Sequence, residues 1–322
     1  MASISCLPDS LTSPIATTRP SCTATSAEKP GLPVPSTTVP FRITRSNICT
    51  LQRQYETTFL VVTFAQTVRI HLAYKGTNFR GYAENPGVRT VGGELRKAIE
   101  QILGTPIDVT VAGRTDAGVH AQGQVVSFRG SYERLDHEQL KDRLNSLCPA
   151  DITIQSVSVV DDEFDARFSA LYREYRYRIL NSEHSDPLYA DLEWHIPQPL
   201  NLQAMEEAAT CLLGTHDFTS FCRRPKGNLD ASMTRKILAA KWEPKAEERV
   251  EFEIIGNAFC HQMVRSLVGF CVAVGLGKSS PQEFERIVDA QDRSAAPPIA
   301  PPHGLILTRV AYPVAFDEKT KR

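Results

Sequence analysis

From Thr67 onward the chain runs twice through one order of hydrophobic periodicities: strand, helix, strand, strand, helix, strand. Alternation with period two buries one face of a sheet, and a stripe at i, i+3 and i+4 buries one face of a helix. Val68, Ile70, Leu72 and Tyr74 alternate with Arg69 and His71, which predicts a half-buried strand. A helix is expected at about 91–103, where Thr90 can cap, Leu95, Ile99 and Ile102 make a stripe, and Gly104 stops it. Strands follow at 107–112 and 123–128. Asp136 with Gln139 reads as a capping box for a helix carrying Leu140, Leu144 and Leu147, which Pro149 ends. Residues 152–160 close the unit as a strand.

The second pass starts at about 172–180, where Tyr175, Tyr177 and Ile179 alternate with Arg176 and Arg178. Asn201 can cap a helix bearing Leu202, Met205, Ala209 and Leu212, with Gly214 after it. Strands at 236–243 and 250–256 precede an apolar helix at about 259–275. A short helix is expected with Ser280 as cap, Pro281 first and Glu283 closing the box, and Leu305 to Tyr312 is the last strand. Two βαββαβ units predict an α+β fold of two ferredoxin-like domains, 67–166 and 167–322, with antiparallel or mixed sheets around a central basic cleft.

The start of the chain obeys another rule. Of the first fifty residues, 24 are Ser, Thr or Pro, and only Asp9 and Glu28 are acidic. Such a stretch buries too little apolar surface to offset its ordering entropy, so residues 1–66 are expected to be a disordered tail. Arg19, Lys29, Arg42 and Arg45 leave an organelle transit peptide open, and an unselected leader before a start near Val61 or Val62 fits equally well. It lacks the apolar core of a secretory signal, and no run reaches the roughly 18 apolar residues of a membrane span. Thirty-six Lys and Arg against 37 Asp and Glu give a net charge of −1. A polyanion must therefore meet a local basic patch. The eight scattered cysteines, with no C-x-x-C pair, read as reduced thiols of a cytoplasmic protein, unless the tail is an organelle address.

The chemistry concentrates at 112–128, AGRTDAGVHAQGQVVSF. Three glycines, Gly113, Gly118 and Gly123, surround Arg114, Thr115, Asp116 and His120 on a connection between strands. Glycines let a backbone turn tightly and approach a ligand, and a carboxylate held there can serve as nucleophile, base or metal ligand. A solvated turn capped by its own Asp fits the isolated hexapeptide as well. His120 reads as a structural partner, and Tyr177 as core.

This segment resembles the signature of the TruA family of tRNA pseudouridine synthases. Further segments agree in order: YKGTNFRGY at 74–82, TVGGEL at 90–95, FDARFSALYREYRYRI at 164–179, GTHDFTSF at 214–221, GNAFCHQMVRSLVG at 256–269 and APPHGLILTRVAYP at 300–313. The resemblance spans 67–313 and implies a homodimeric isomerase that converts uridine to pseudouridine in tRNA, at positions 38, 39 and 40 of the anticodon stem-loop. It implies Asp116 as the nucleophile, Arg265 as its ionic partner, Tyr175 stacked on the target base, and Arg114 entering the space a flipped nucleotide leaves. No cofactor and no metal are expected. The reaction needs none, and the sequence has no Rossmann fingerprint, no P-loop and no common zinc spacing, the Cys211, His216, Cys222 run included.

Arg167, Arg173, Arg176 and Arg178, with Arg223, Arg224, Lys226, Arg235 and Lys236, are expected to form the track for the tRNA backbone. The family pattern is broken at Lys75, where Asp is usual, and at Tyr82, where Trp is usual; these departures bear on RNA contact rather than chemistry. The alternatives are a non-catalytic RNA-binding or chaperone protein of the same fold and a glycosidase-like enzyme. The latter normally needs two carboxylates, and this motif offers one.

Overall fold

The computed structural model describes residues 65–131, 136–224 and 231–316. The expectations for the tail therefore fall almost wholly outside the described residues, as does Lys226. Strand β1 (Gln66–Tyr74) pairs antiparallel with β3 (His120–Gly130) on one side and β4 (Ile152–Val160) on the other. Helix α1 (Val91–Leu103) starts where the Thr90 side chain accepts from the Gly93 N–H. It stops at Gly104, whose φ of 72° is left-handed. Helix α2 (His137–Leu147) starts where Asp136 accepts from the Gln139 N–H, and buries Leu140 and Leu144.

The strand expected at 107–112 shrinks to β2 (Thr110–Val111), paired with Ser127 and Val126 of β3. Its earlier residues turn towards α1, where Glu100 accepts from the Ile107 N–H.

In the second half β5 (Tyr172–Leu180) pairs antiparallel with β9 (Arg249–Gly256), β9 with β8 (Thr234–Pro244), and β8 with β7 (Gly214–Asp217). The two-residue β6 (Trp194–His195) runs parallel to the end of β5. Asn201 caps α3 (Leu202–Cys211) through the Ala204 N–H. Helix α4 (Met263–Gly275) is buried on nearly all sides and starts later than its apolar run, because Gln262 adopts a left-handed φ of 66°. Helix α5 (Glu283–Ala290) also starts later than expected. Ser280 and Pro281 accept from Glu283 and Phe284 in tight i→i+3 turns, and the hydroxyl that reaches Glu283 belongs to Ser279.

The two expected sheets are joined. Strand β10 (Leu305–Ala311) pairs antiparallel with β5 and, at Ile306–His120 and Leu307–Ala121, parallel with β3. The described strands thereby form one mixed sheet in the order β4-β1-β3-β10-β5-β9-β8-β7, with β2 and β6 as side pairings. Among the described residues no helix is long and apolar enough to cross a membrane, and Cys148, Cys211, Cys222, Cys260 and Cys271 are free thiols.

The junction demands a residue without a side chain. A Cβ on Gly123 would lie 2.3 Å from the Thr308 carbonyl oxygen, inside contact distance, and that oxygen belongs to a strand that cannot swing away. Gly123→Ala is expected to cost about 1–3 kcal/mol by overpacking. Thermal unfolding checks this: a fall of roughly 2–10 °C is expected.

Candidate active site

The seam between the halves is also where the polar residues of the 112–119 connection are held. Tyr82 donates its N–H to the Thr115 carbonyl at 3.1 Å, and Gly118 donates to Phe79 at 3.4 Å. The Tyr74 and Thr115 hydroxyls are 2.8 Å apart. Gln124 donates to the Gly113 carbonyl at 2.8 Å and to the Tyr74 hydroxyl at 3.1 Å. Burial pushes the Tyr74 phenol up to about 12, so it remains a neutral hydrogen-bonding post. The connection is thus a fixed platform that leaves Asp116 mostly covered, with 17 % of its side chain exposed.

Arg265 lies on the first turn of α4, 12 % exposed, and places Nη1 2.8 Å from Asp116 Oδ2. Its Nε donates to the Ala300 carbonyl at 2.8 Å, and Ala300 in turn donates its N–H to the Arg265 carbonyl at 3.1 Å. The guanidinium is therefore fixed by backbone before it meets the carboxylate. On the other oxygen, Oδ1, stands His261 Nε2 at 3.2 Å; this ring is 49 % exposed. Burial drives the Asp116 pKa upward, but the hydrogen bonds from His261 and Arg265 and their charges outweigh it, and the net shift is downward. Asp116 is consequently an anion throughout the neutral range. The stabilisation this brings is complete above the ordinary carboxylate pKa and is lost as pH falls through the lowered one.

Tyr175 is buried, its ring edge-on to Phe259 with centroids 5.2 Å apart. A Cβ on Gly113 would sit 3.5 Å from its hydroxyl, so the phenol lies directly against the start of the Asp116 connection. Arg114 is exposed, two residues from Asp116, and its side chain has no partner among the described residues. Asp116, Arg265 and the Tyr175–Gly113 contact thus come together from three distant parts of the sequence. His120 is a structural residue: its Nδ1 accepts from the Gly76 N–H at 3.0 Å, and its Nε2 lies 3.0 Å from the carbonyls of Asp191 and His303. Tyr177 is fully buried and donates to the Pro301 carbonyl at 2.8 Å.

The expected basic track is redistributed. Arg176 and Arg178 point to the opposite face of β5 from Tyr175, since side chains alternate along a strand. There they meet Glu253 at 3.5 Å and Glu251 at 3.0 Å on the neighbouring β9. Arg173 shares the Tyr175 face but is buried. It donates to four carbonyls: Ala112 at 2.9 Å, Asn257 at 2.8 Å, Arg167 at 2.6 Å and Ala170 at 3.4 Å. One guanidinium therefore ties together the start of the Asp116 connection, the loop before α4 and the turn before β5. Among the described basic residues of that group, Arg167, Arg223, Arg224 and Lys236 are exposed.

His261 was missed by sequence reasoning, although it stands in the same segment as Arg265. A half-exposed histidine in a loop carries no periodic signal, and its ring meets Asp116 only in the folded chain, beside Gln262 with its left-handed φ of 66°. Among the described residues no three His, Cys, Asp or Glu side chains gather as a metal-binding group.

A carboxylate on a glycine-rich connection, paired with an arginine that backbone already fixes, thus stands with a buried tyrosine alongside. The tRNA pseudouridine synthase family model matches residues 71–169 and 208–313, and the chain belongs to that family. It is 42 % identical over 249 residues to the tRNA pseudouridine synthase A of a Geobacillus species, covering 77 % of this chain and 99 % of that protein. It is 40 % identical to the proteins of the same name from Leifsonia xyli, over 78 % of this chain and 93 % of that protein, and from Bacillus subtilis, over 75 % and 97 %.

Two outcomes are expected from this geometry. In Arg265→Gln the Asp116 carboxyl should titrate at higher pH than in the wild type, read by carbon NMR of selectively labelled aspartate. Arg173→Lys keeps the charge but loses the planar fork that reaches four carbonyls. Leaving buried carbonyls unsatisfied should cost about 1–3 kcal/mol, measured by denaturant unfolding.

Proposed function

We propose that Asp116 is the nucleophile with which this chain isomerises uridine to pseudouridine in tRNA, and that Arg265 holds it charged and aimed. The observation that carries this reading is the 2.8 Å contact between Arg265 Nη1 and Asp116 Oδ2, made by residues 149 apart in sequence. Family membership gives the reaction, and the pair gives it an agent. Oδ2 is held by an arginine that backbone already fixes, whereas Oδ1 is held among the described residues by half-exposed His261, so Oδ1 is assigned as the reacting oxygen once that ring moves aside.

Attack by Asp116 on the nucleotide, at C1′ of the ribose or C6 of the base, forms a covalent adduct and leads to cleavage of the N1–C1′ bond. The uracil turns, C5 bonds to C1′, the bond to Asp116 breaks and returns the carboxylate, the C5 proton leaves and N1 takes a proton, so no atom is gained or lost overall. Tyr175 is assigned to stacking on the base, and exposed Arg114 to the gap left by the flipped nucleotide. Their closeness to the Asp116 connection supports both roles. The resemblance of the sequence supports anticodon stem-loop uridines 38, 39 and 40 as targets, a homodimer, a cytoplasmic location, and ferredoxin-like halves at 67–166 and 167–322 joined at the seam. A non-catalytic RNA-binding role leaves the arginine-held carboxylate without a task, and desolvating such a pair carries a cost.

Tritium release from C5-labelled uridine in tRNA transcripts, paired with filter binding, tests the assignment. The wild type should release tritium. Asp116→Asn should release none, and Arg265→Ala should lose about 10²- to 10³-fold in turnover. Both variants should keep their affinity for tRNA. Turnover by Asp116→Asn, or lost binding with intact turnover in Arg265→Ala, would overturn these roles.

A further inference from the structure

Phe168 is 79 % exposed, although it lies in a turn whose backbone is held at every step. Asp165 Oδ1 accepts from the N–H groups of Arg167 at 2.7 Å and Phe168 at 2.8 Å. Ser169 closes the turn in both directions, its hydroxyl accepting from the Asp165 N–H and its own N–H donating to the Asp165 carbonyl. The Arg167 carbonyl is gripped by Arg173 at 2.6 Å. Single exposed apolar side chains are common and usually mean nothing. This one differs in three respects. Its backbone is rigid, the exposed Arg167 guanidinium lies 5.3 Å from its ring centroid, and the turn is wired to the site. The same Arg173 Nη2 that holds the Arg167 carbonyl also holds the Ala112 carbonyl, where the connection bearing Asp116 begins.

We propose that Phe168 and Arg167 form a stacking platform for a nucleobase of the bound tRNA other than the uridine being isomerised. An exposed aromatic ring carrying a cation that has no carboxylate partner among the described residues suits a ligand that brings both a π-face and a phosphate, and a nucleotide is such a ligand. Stacking tolerates any base, so the platform positions the RNA without reading its sequence. The rigidity of the turn means that little ordering entropy is lost on binding, and the Arg173 tether keeps the stacked base in register with Asp116. This inference rests on the assignment of Asp116 as the reacting carboxylate.

The test uses the full-length protein with unmodified tRNA. Because Phe168 is exposed, Phe168→Ala should fold with an unchanged Tm. Its Kd for tRNA should rise about 5- to 150-fold, the equivalent of one lost base stack, and the loss should fall on Kd and KM rather than kcat. Phe168→Trp should restore affinity, and its fluorescence should be quenched when tRNA is added. Phe168→Leu, apolar but without a π-face, should not restore it. Arg167→Gln should weaken binding and lower the salt slope by about one. An unchanged Kd in Phe168→Ala, full affinity in Phe168→Leu, or a change of oligomeric state in Phe168→Ala by light scattering would overturn the proposal. The last of these would assign the patch to a second copy of the chain. Asp116→Asn separates the two readings: turnover in that variant removes the assignment of the site, while the effect of Phe168 on Kd is measured independently of turnover.

Discussion

The parallel pairing of β10 with β3 is short, only Ile306–His120 and Leu307–Ala121, yet the site exists because of it. The connection bearing Asp116 leads into β3, and the 298–304 segment leads into β10, so the pairing brings these two lead-in segments side by side. On the first lies the carboxylate. On the second lies Ala300, whose carbonyl fixes Arg265. The close approach is possible where a side chain is missing: a Cβ on Gly269 of α4 would lie 2.1 Å from the Pro298 carbonyl oxygen, as one on Gly123 would meet Thr308. Helix α4 can therefore lie against the segment before β10 and put its first turn on Asp116.

Two buried or nearly buried arginines do different work there. Arg265 has a carboxylate partner and sets its charge state. Arg173 has none among the described residues and directs its donors to carbonyls of three segments. A guanidinium is suited to this because its planar fork reaches several acceptors at once and its charge survives burial. The cost of desolvating that charge is met by carbonyl dipoles that would otherwise be unsatisfied, so one side chain joins three site segments in addition to the hydrogen bonds of Tyr82, Tyr74 and Gln124.

The outer face of the sheet uses its arginines otherwise. Arg176 and Arg178 meet Glu253 and Glu251 across β5 and β9, and Lys241 meets Glu243 at 2.6 Å along β8. Such half-exposed pairs add little stability, roughly 0–1 kcal/mol each, but they neutralise positive charge that a sequence count assigns to RNA. Exposed cations remain among the described residues, Arg114 on the Asp116 connection and Arg167 in the turn that Arg173 ties to it. A net charge of −1 is compatible with binding a polyanion only because local placement matters more than the total.

What the sequence determined by itself is what local physics decides. Thr90, Asp136 and Asn201 cap the helices that follow them, as their positions predict, because a side-chain oxygen reaches an N–H only two or three residues away. The alternation in β5 marked its buried face for the same reason, whereas β1, predicted half-buried, is covered on both faces at Thr67 and Arg69. The motifs drew attention to Asp116, Arg265, Tyr175 and Arg114, and the structure pairs the first two. Only the tertiary structure decided that Arg173 is a tether, that Arg176 and Arg178 are neutralised, that His261 faces Asp116, and that two sheets are one. Each of these depends on strand register or on a contact between segments far apart in the chain. Register and long-range contact are set by the packing of the whole molecule, and no local pattern of residues encodes them.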